Sequence, residues 1–121
     1  MADRVLFIAW GESVHGREER GLEIFNEAMG ILGRMQQEGR IEKFDVVLLN
    51  PNGGDLEGYI TVHGSAEQIA AFREDEEFLR NTMDAANIVR GLRHCDGYTN
   101  EGVARMMELY QQSIAKVPQI A

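Results

Sequence analysis

The 121-residue sequence predicts an α+β fold: a four-stranded antiparallel sheet carrying two long helices on one face, with a further helix at the C-terminus. Three observations predict it. Four short apolar runs of strand size alternate with segments of helical periodicity, in the order β-α-β-β-α-β. A Pro-Asn-Gly-Gly turn between the second and third runs marks a hairpin. The first two runs are apolar at odd and even positions alike, so something must cover both faces of the sheet.

The run RVLFIAW, residues 4–10, has the length of a buried strand and ends at Gly11. After the loop GESVHG, a helical pattern occupies residues 17–38, with Leu22, Phe25, Met29, Leu32 and Met35 along one face. Glu18 and Glu19 fall in its first turn, where the helix dipole favours negative charge, and Gly39 suits the position just past its end. Gly30 and Gly33 weaken this helix and read as sites where a neighbouring backbone approaches closely.

KFDVVLLN (43–50) and GYITVHG, with residues 57–64 as its bounds, form the hairpin strands. Ser65 followed by Gln68 is a capping box opening the second helix through Ile69 and Phe72. Helical character continues, with a break, through Phe78, Leu79 and Met83. The acidic run 74–77 reads as a solvated helix face or a helix start. Residues 87–97 make a fourth strand interrupted by glycine. From Asn100, Val103, Met106, Met107, Tyr110 and Ile114 describe a third amphipathic helix, about 100–116, ended by Pro118. The element order is the ferredoxin-like split βαβ pattern, with strand order 4-1-3-2. The whole chain, 1–121, is read as one domain.

Element order, doubly apolar strands and the run GYITVHGSAEQIAAF leading to DEEFLRNTMDAANIVRGLR resemble the dimeric α/β-barrel superfamily over residues 4–98. They resemble in particular its small bacterial members without assigned activity. The resemblance implies ferredoxin-like subunits paired sheet against sheet, hence a homodimer. The superfamily includes cofactor-free monooxygenases, lactone isomerases, haem-degrading enzymes and stress-response proteins. It has no shared catalytic motif, so the resemblance assigns no catalytic residue here. The helix beyond Asn100 departs from the minimal pattern and is the other element able to cover the open sheet face.

Composition narrows the function. Twenty acidic against 12 basic residues give a net charge of −8, which argues against nucleic acid as a partner. No apolar run is long enough to span a bilayer, and the N-terminal one is too short for a signal peptide. The lone Cys95 excludes an intrachain disulfide and agrees with a cytoplasmic setting. No metal-ligand spacing and no cofactor motif appears, so none is expected.

The loop from Gly11 to Glu18 has Walker-like glycine spacing but places Arg17 and Glu18 where lysine and a hydroxyl belong, so it reads as a strand-to-helix turn. Of His15, His63 and His94, the strand order places His63 near Arg4, and His94 is expected toward that same end. His63 is the candidate proton-transfer group, its plainer reading being a half-exposed strand-end residue. Trp10, Asn50 and Tyr59 gather at the opposite end of the sheet, as a ligand cleft or as packing with a polar rim. Cys95 between His94 and Asp96 is no triad, because consecutive strand residues point to opposite faces. The methionines of the helices read as core or interface filler.

These observations support a homodimeric module binding a small apolar or aromatic metabolite, with Trp10, Asn50, Tyr59 and His63 as ligand-binding candidates. Alternatives are a cofactor-free monooxygenase or isomerase, and a structural or interaction protein without a ligand.

Overall fold

The computed structural model describes residues 2–120. Chain order is β1 (Arg4–Trp10), α1 (Glu18–Gln37), β2 (Lys43–Leu48), β3 (Gly58–Gly64), α2 (Ala66–Arg73), α3 (Glu76–Ala86), β4 (Arg93–Tyr98) and α4 (Glu101–Ile114). All strand pairs are antiparallel, in the order β2-β3-β1-β4, which is the predicted 4-1-3-2 arrangement.

Local signals set the element ends. Gly39, at φ +72°, turns the chain out of α1; its N–H donates to the Gln36 carbonyl at 3.1 Å, and Arg40 N–H donates to Met35 at 2.9 Å. This is the double bond pattern of a Schellman motif. At α2, Gln68 N–H donates to Ser65 Oγ at 3.1 Å, and Ser65 N–H donates to Gln68 Oε1 at 2.8 Å. The expected break falls at Glu74 and Asp75, where Asp75 accepts the Phe78 N–H at 3.0 Å and begins α3. The acidic run is therefore a helix start.

Two expectations need correction. The fourth strand begins at Arg93 rather than near residue 87. The chain before it instead pairs with the loop after β1: Val14 N–H donates to the Ile88 carbonyl and Gly11 N–H to that of Arg90, each at 2.7 Å. Gly30 and Gly33 meet no neighbouring backbone, for a Cβ on either would touch nothing within 4 Å.

Leu6, Ile8, Ile60 and Val62 turn one face of the sheet toward Leu32 and Met35 of α1, Phe72 of α2 and Phe78 of α3, forming the core. Each such fully buried side chain stabilises the fold by ~1.5–3 kcal/mol. The opposite face carries Val5, Phe7, Val47, Tyr59, Thr61 and His63. Helix α4 is held at its root, where buried Gly102 lies so near Asp3 that a Cβ would stand 2.6 Å from the Asp3 carbonyl oxygen. Its sheet contact is with edge strand β4, and Val103, Met107, Tyr110 and Ile114 are exposed. Within one chain, α4 therefore leaves the open face uncovered. No helix among the described residues is long and apolar enough to cross a membrane.

Candidate ligand-binding site

Between the helix-bearing face of the sheet and the α1–α3 pair lies a cavity of about 370 Å³. That volume is within the range of small-molecule sites. Ile8 and Ile60 form its floor, Phe25 and Ala28 line it from α1, and Phe78 and Ala85 line it from α3. Leu22 and Leu48, 62% and 68% exposed, mark where it opens to solvent. Large apolar side chains exposed at the rim of an apolar hollow are what a ligand would cover.

Trp10 ends β1 on this face and meets Phe25 edge-on, ring centroids 6.0 Å apart at 64°. Its cross-strand partner is Gly58. A side chain there would collide with the indole, so glycine leaves the room in which the ring lies.

His94 pairs with Ile8 and so shares its face. Its ring stacks on Phe78 at 5.4 Å and 24°. Burial, aided by the nearby positive charge of Arg73, pushes the His94 pKa below the ordinary imidazole value. The ring is thus neutral at neutral pH, with one donor and one acceptor nitrogen. Neither nitrogen has a hydrogen-bond partner among the described residues. The adjacent Arg73 is itself paired with Asp96 at 2.9 Å.

Asn81, a buried polar side chain at 8% exposure, donates its Nδ2–H to the Ile24 carbonyl at 3.1 Å. It ties α3 to α1 beside the cavity, and its amide oxygen has no partner among the described residues. Ser13 and Thr82 add hydroxyls to the lining. Glu18 borders the cavity from the first turn of α1. Its own backbone N–H and that of Gly16, the latter 2.7 Å from Oε1, hold its pKa below the usual carboxylate value. Glu18 is therefore an anion at neutral pH.

The four ligand-binding candidates read from the sequence do not come together. Trp10 lines the cavity. Tyr59 lies on the open face against Phe7, centroids 5.2 Å apart. His63 shares that face, its Nε2 3.2 Å from Thr61 Oγ1 and 3.5 Å from Asp45 Oδ2. Burial and Lys43 lower its pKa against the opposing pull of Asp45, so it too is neutral at pH 7. One nitrogen serves both neighbours, so no relay runs through the ring. Asn50 is exposed in the loop after β2, where its carbonyl accepts from Asn52 Nδ2 at 3.1 Å.

The expectation that His94 shares an end with His63 is also corrected. His63 pairs with Val5 but His94 with Ile8, because antiparallel β4 starts beside the end of β1. The two histidines lie toward opposite ends and on opposite faces. Sequence reasoning passed over His94 and Asn81 as site residues. The first required the antiparallel direction of β4 as well as the strand order; the second had no signal beyond being a lone amide on an amphipathic helix.

The Walker-like loop is a structural turn. Gly16 sits at φ +92°, and Arg17 donates to the Asn87 carbonyl at 2.6 Å, joining the start of α1 to the end of α3. Among the described residues no group of three His, Cys, Asp or Glu side chains stands close enough to hold a metal ion.

No protein-family model matches the sequence, and no curated protein does. Solved structures do match the fold. A dimeric protein of unknown function and ferredoxin-like fold from Bacteroides fragilis is 13% identical, with TM-score 0.58, over 79% of this chain and 96% of its own. A conserved protein of unknown function from Bacteroides thetaiotaomicron, described as a possible oxidoreductase, is 11% identical, with TM-score 0.61, over 82% and 100%. SnoaB, a cofactor-independent oxygenase from Streptomyces nogalater, is 16% identical, with TM-score 0.54, over 82% and 95%. At such identities the likeness is one of fold: this chain carries a ferredoxin-like α+β fold, as its element order predicted.

Proposed function

We propose that the protein is a homodimeric module that binds a small apolar or aromatic molecule between the sheet and helices α1 and α3. The cavity of about 370 Å³ carries this reading: it is largely apolar, opens between Leu22 and Leu48, and is lined by His94, whose ring nitrogens have no partner among the described residues, and by Asn81, whose amide oxygen has none. An apolar hollow with few, fixed polar groups orients a ligand while burying most of its surface. Of the sequence candidates, Trp10 serves this cavity. Tyr59 and His63 instead belong to the face that would meet a second subunit. The open face, where Val5, Phe7, Val47 and Tyr59 lie among polar neighbours, and the dimeric Bacteroides fragilis protein of like fold support the homodimer.

The test uses Trp10, the chain's one tryptophan, as a built-in probe. Screening aromatic metabolites by thermal shift, with native mass spectrometry, should find a compound that stabilises the protein and changes Trp10 emission. At a hundredfold excess over Kd the stabilisation is about 2.7 kcal/mol. Replacing Ala28 by Phe should fill the cavity and abolish the effect while the circular dichroism spectrum is kept. If no compound stabilises the protein, the interaction-only reading takes its place.

A second reading, a cofactor-free monooxygenase or isomerase, is favoured by His94. A neutral imidazole with free nitrogens at the wall of a ligand cavity is placed to accept a proton from an acidic hydroxyl or C–H group. SnoaB shows that the fold supports oxygenase chemistry without a cofactor. Mass spectrometry of a bound ligand after incubation in air separates the two. A chemically changed ligand, with the change lost in His94→Phe, favours the enzyme; an unchanged one favours the binding module.

A further inference from the structure

We propose that the cavity selects uncharged aromatic ligands bearing one hydrogen-bonding group, and discriminates against the same ring systems carrying a carboxylate. This inference rests on the cavity being a ligand site and adds what that site accepts.

Among the described residues the lining contains no lysine or arginine. Its one permanently charged side chain among the described residues is Glu18, whose carboxylate accepts the Gly16 N–H at 2.7 Å. The cation nearest to His94, Arg73, is already paired with Asp96 at 2.9 Å and is not part of the lining. A carboxylate entering the cavity would leave water, meet no cation and pass Glu18. An ionised group buried without a partner costs far more than any hydrogen bond here returns.

An uncharged polar group fares differently. A hydroxyl donates to the acceptor nitrogen of His94 or to the free Asn81 amide oxygen; a carbonyl accepts from the donor nitrogen of the ring. None of these atoms has a protein partner among the described residues, so a ligand can bond them without breaking a hydrogen bond within the protein. The rest of the lining, such as Phe25, Phe78 and Ile60, gains only from apolar or aromatic surface. Shape admits a fused ring system, and charge then decides which of its derivatives enter.

The test compares three naphthalenes by isothermal titration calorimetry at pH 7.5 with the intact protein: 2-naphthol, 2-naphthamide and 2-naphthoate. The amide and the carboxylate have nearly one shape, so they differ chiefly in charge. The naphthol and the amide should bind, with the naphthoate at least about tenfold weaker than the amide. Glu18→Gln, a change at an exposed side chain, should narrow that ratio by strengthening naphthoate. Naphthoate binding as tightly as the amide, or a ratio unmoved by Glu18→Gln, overturns the charge selection while leaving the ligand site standing. Absence of heat from all three compounds overturns the ligand site, and this proposal with it.

Discussion

Gly58 and Trp10 face each other across the β3–β1 pair, and a Cβ on Gly58 would stand 2.8 Å from Trp10 Cζ2 and 2.9 Å from the Val47 carbonyl oxygen. The indole thus occupies the space that any side chain at position 58 would need. Val47, on the neighbouring strand, closes the alternative of moving the new atom the other way.

Gly58→Ala should therefore destabilise the fold by about 1–3 kcal/mol, the usual cost of adding a methyl to filled space. Because the ring is the softer obstacle, it should also move, changing the emission of Trp10. A urea titration followed by fluorescence measures both. A neutral Gly58→Ala would show that the ring relaxes freely and is not fixed by this contact.

Gly30→Ala carries the opposite sign. The position is exposed on α1, and a Cβ there would meet nothing within 4 Å. Removing a helix-interior glycine should raise stability by about 0.5–1 kcal/mol. Gly33→Ala should act in the same direction. A loss of stability by chemical denaturation would instead restore the close-contact role that the sequence suggested for both.

Acidification should weaken the fold before its carboxylates are titrated. His63 faces Thr61, Asp45 and Lys43, while His94 lies between Phe78 and the Arg73–Asp96 pair; both have lowered pKa values. The unfolded histidine titrates near about 6.5, so below that pH the unfolded chain binds more protons than the folded one. Stability is complete above about pH 6.5 and falls as the pH drops toward the lowered folded values. Asp75, whose pKa stays low because Arg40 and the Phe78 N–H outweigh its burial, acts in a separate window below its ordinary 3.8. Urea midpoints at pH 7.5 and 5.5 should differ, and His94→Phe should reduce the difference. Equal midpoints in the parent protein would show that neither ring is held neutral by folding.

The open face gives the fourth prediction. Phe7→Glu places a charge beside Tyr59, centroid-to-centroid neighbours at 5.2 Å, without touching the cavity. Sedimentation should show a homodimer for the parent and a monomer for Phe7→Glu, with dimer affinity reduced at least about a hundredfold. Deleting residues 100–121 then separates the two ways of covering this face. If the truncated chain is soluble and monomeric, sheet pairing is not the interface, and α4 is the assembling element.

What the sequence made legible was local or periodic. The Ser65–Gln68 box and the turn at Gly39 require only neighbours within a few residues, and both formed with the expected bonds. Strand order followed from element order and the hairpin. The site was harder because it depends on parity. Tyr59 adjoins Gly58, the partner of Trp10, yet one step along the strand places it on the other face. His94 required the direction of β4 to be carried through to its register with Ile8. Asn81 depends on the packing of α3 against α1, which the sequence expresses only as an amphipathic pattern. Gly30 and Gly33 misled because glycine in a helix has the same letter whether or not something approaches it.

The seven residues of β1 have a genetic consequence. Leu6, Ile8 and Trp10 face the core and cavity, whereas Val5, Phe7 and Ala9 face the open side. Substitutions that reshape the cavity and substitutions that reshape the open face therefore fall on alternate codons of one short stretch. Change at one set leaves the side chains of the other face in place, so the proposed ligand site can be altered without altering the proposed interface, and the interface without the site.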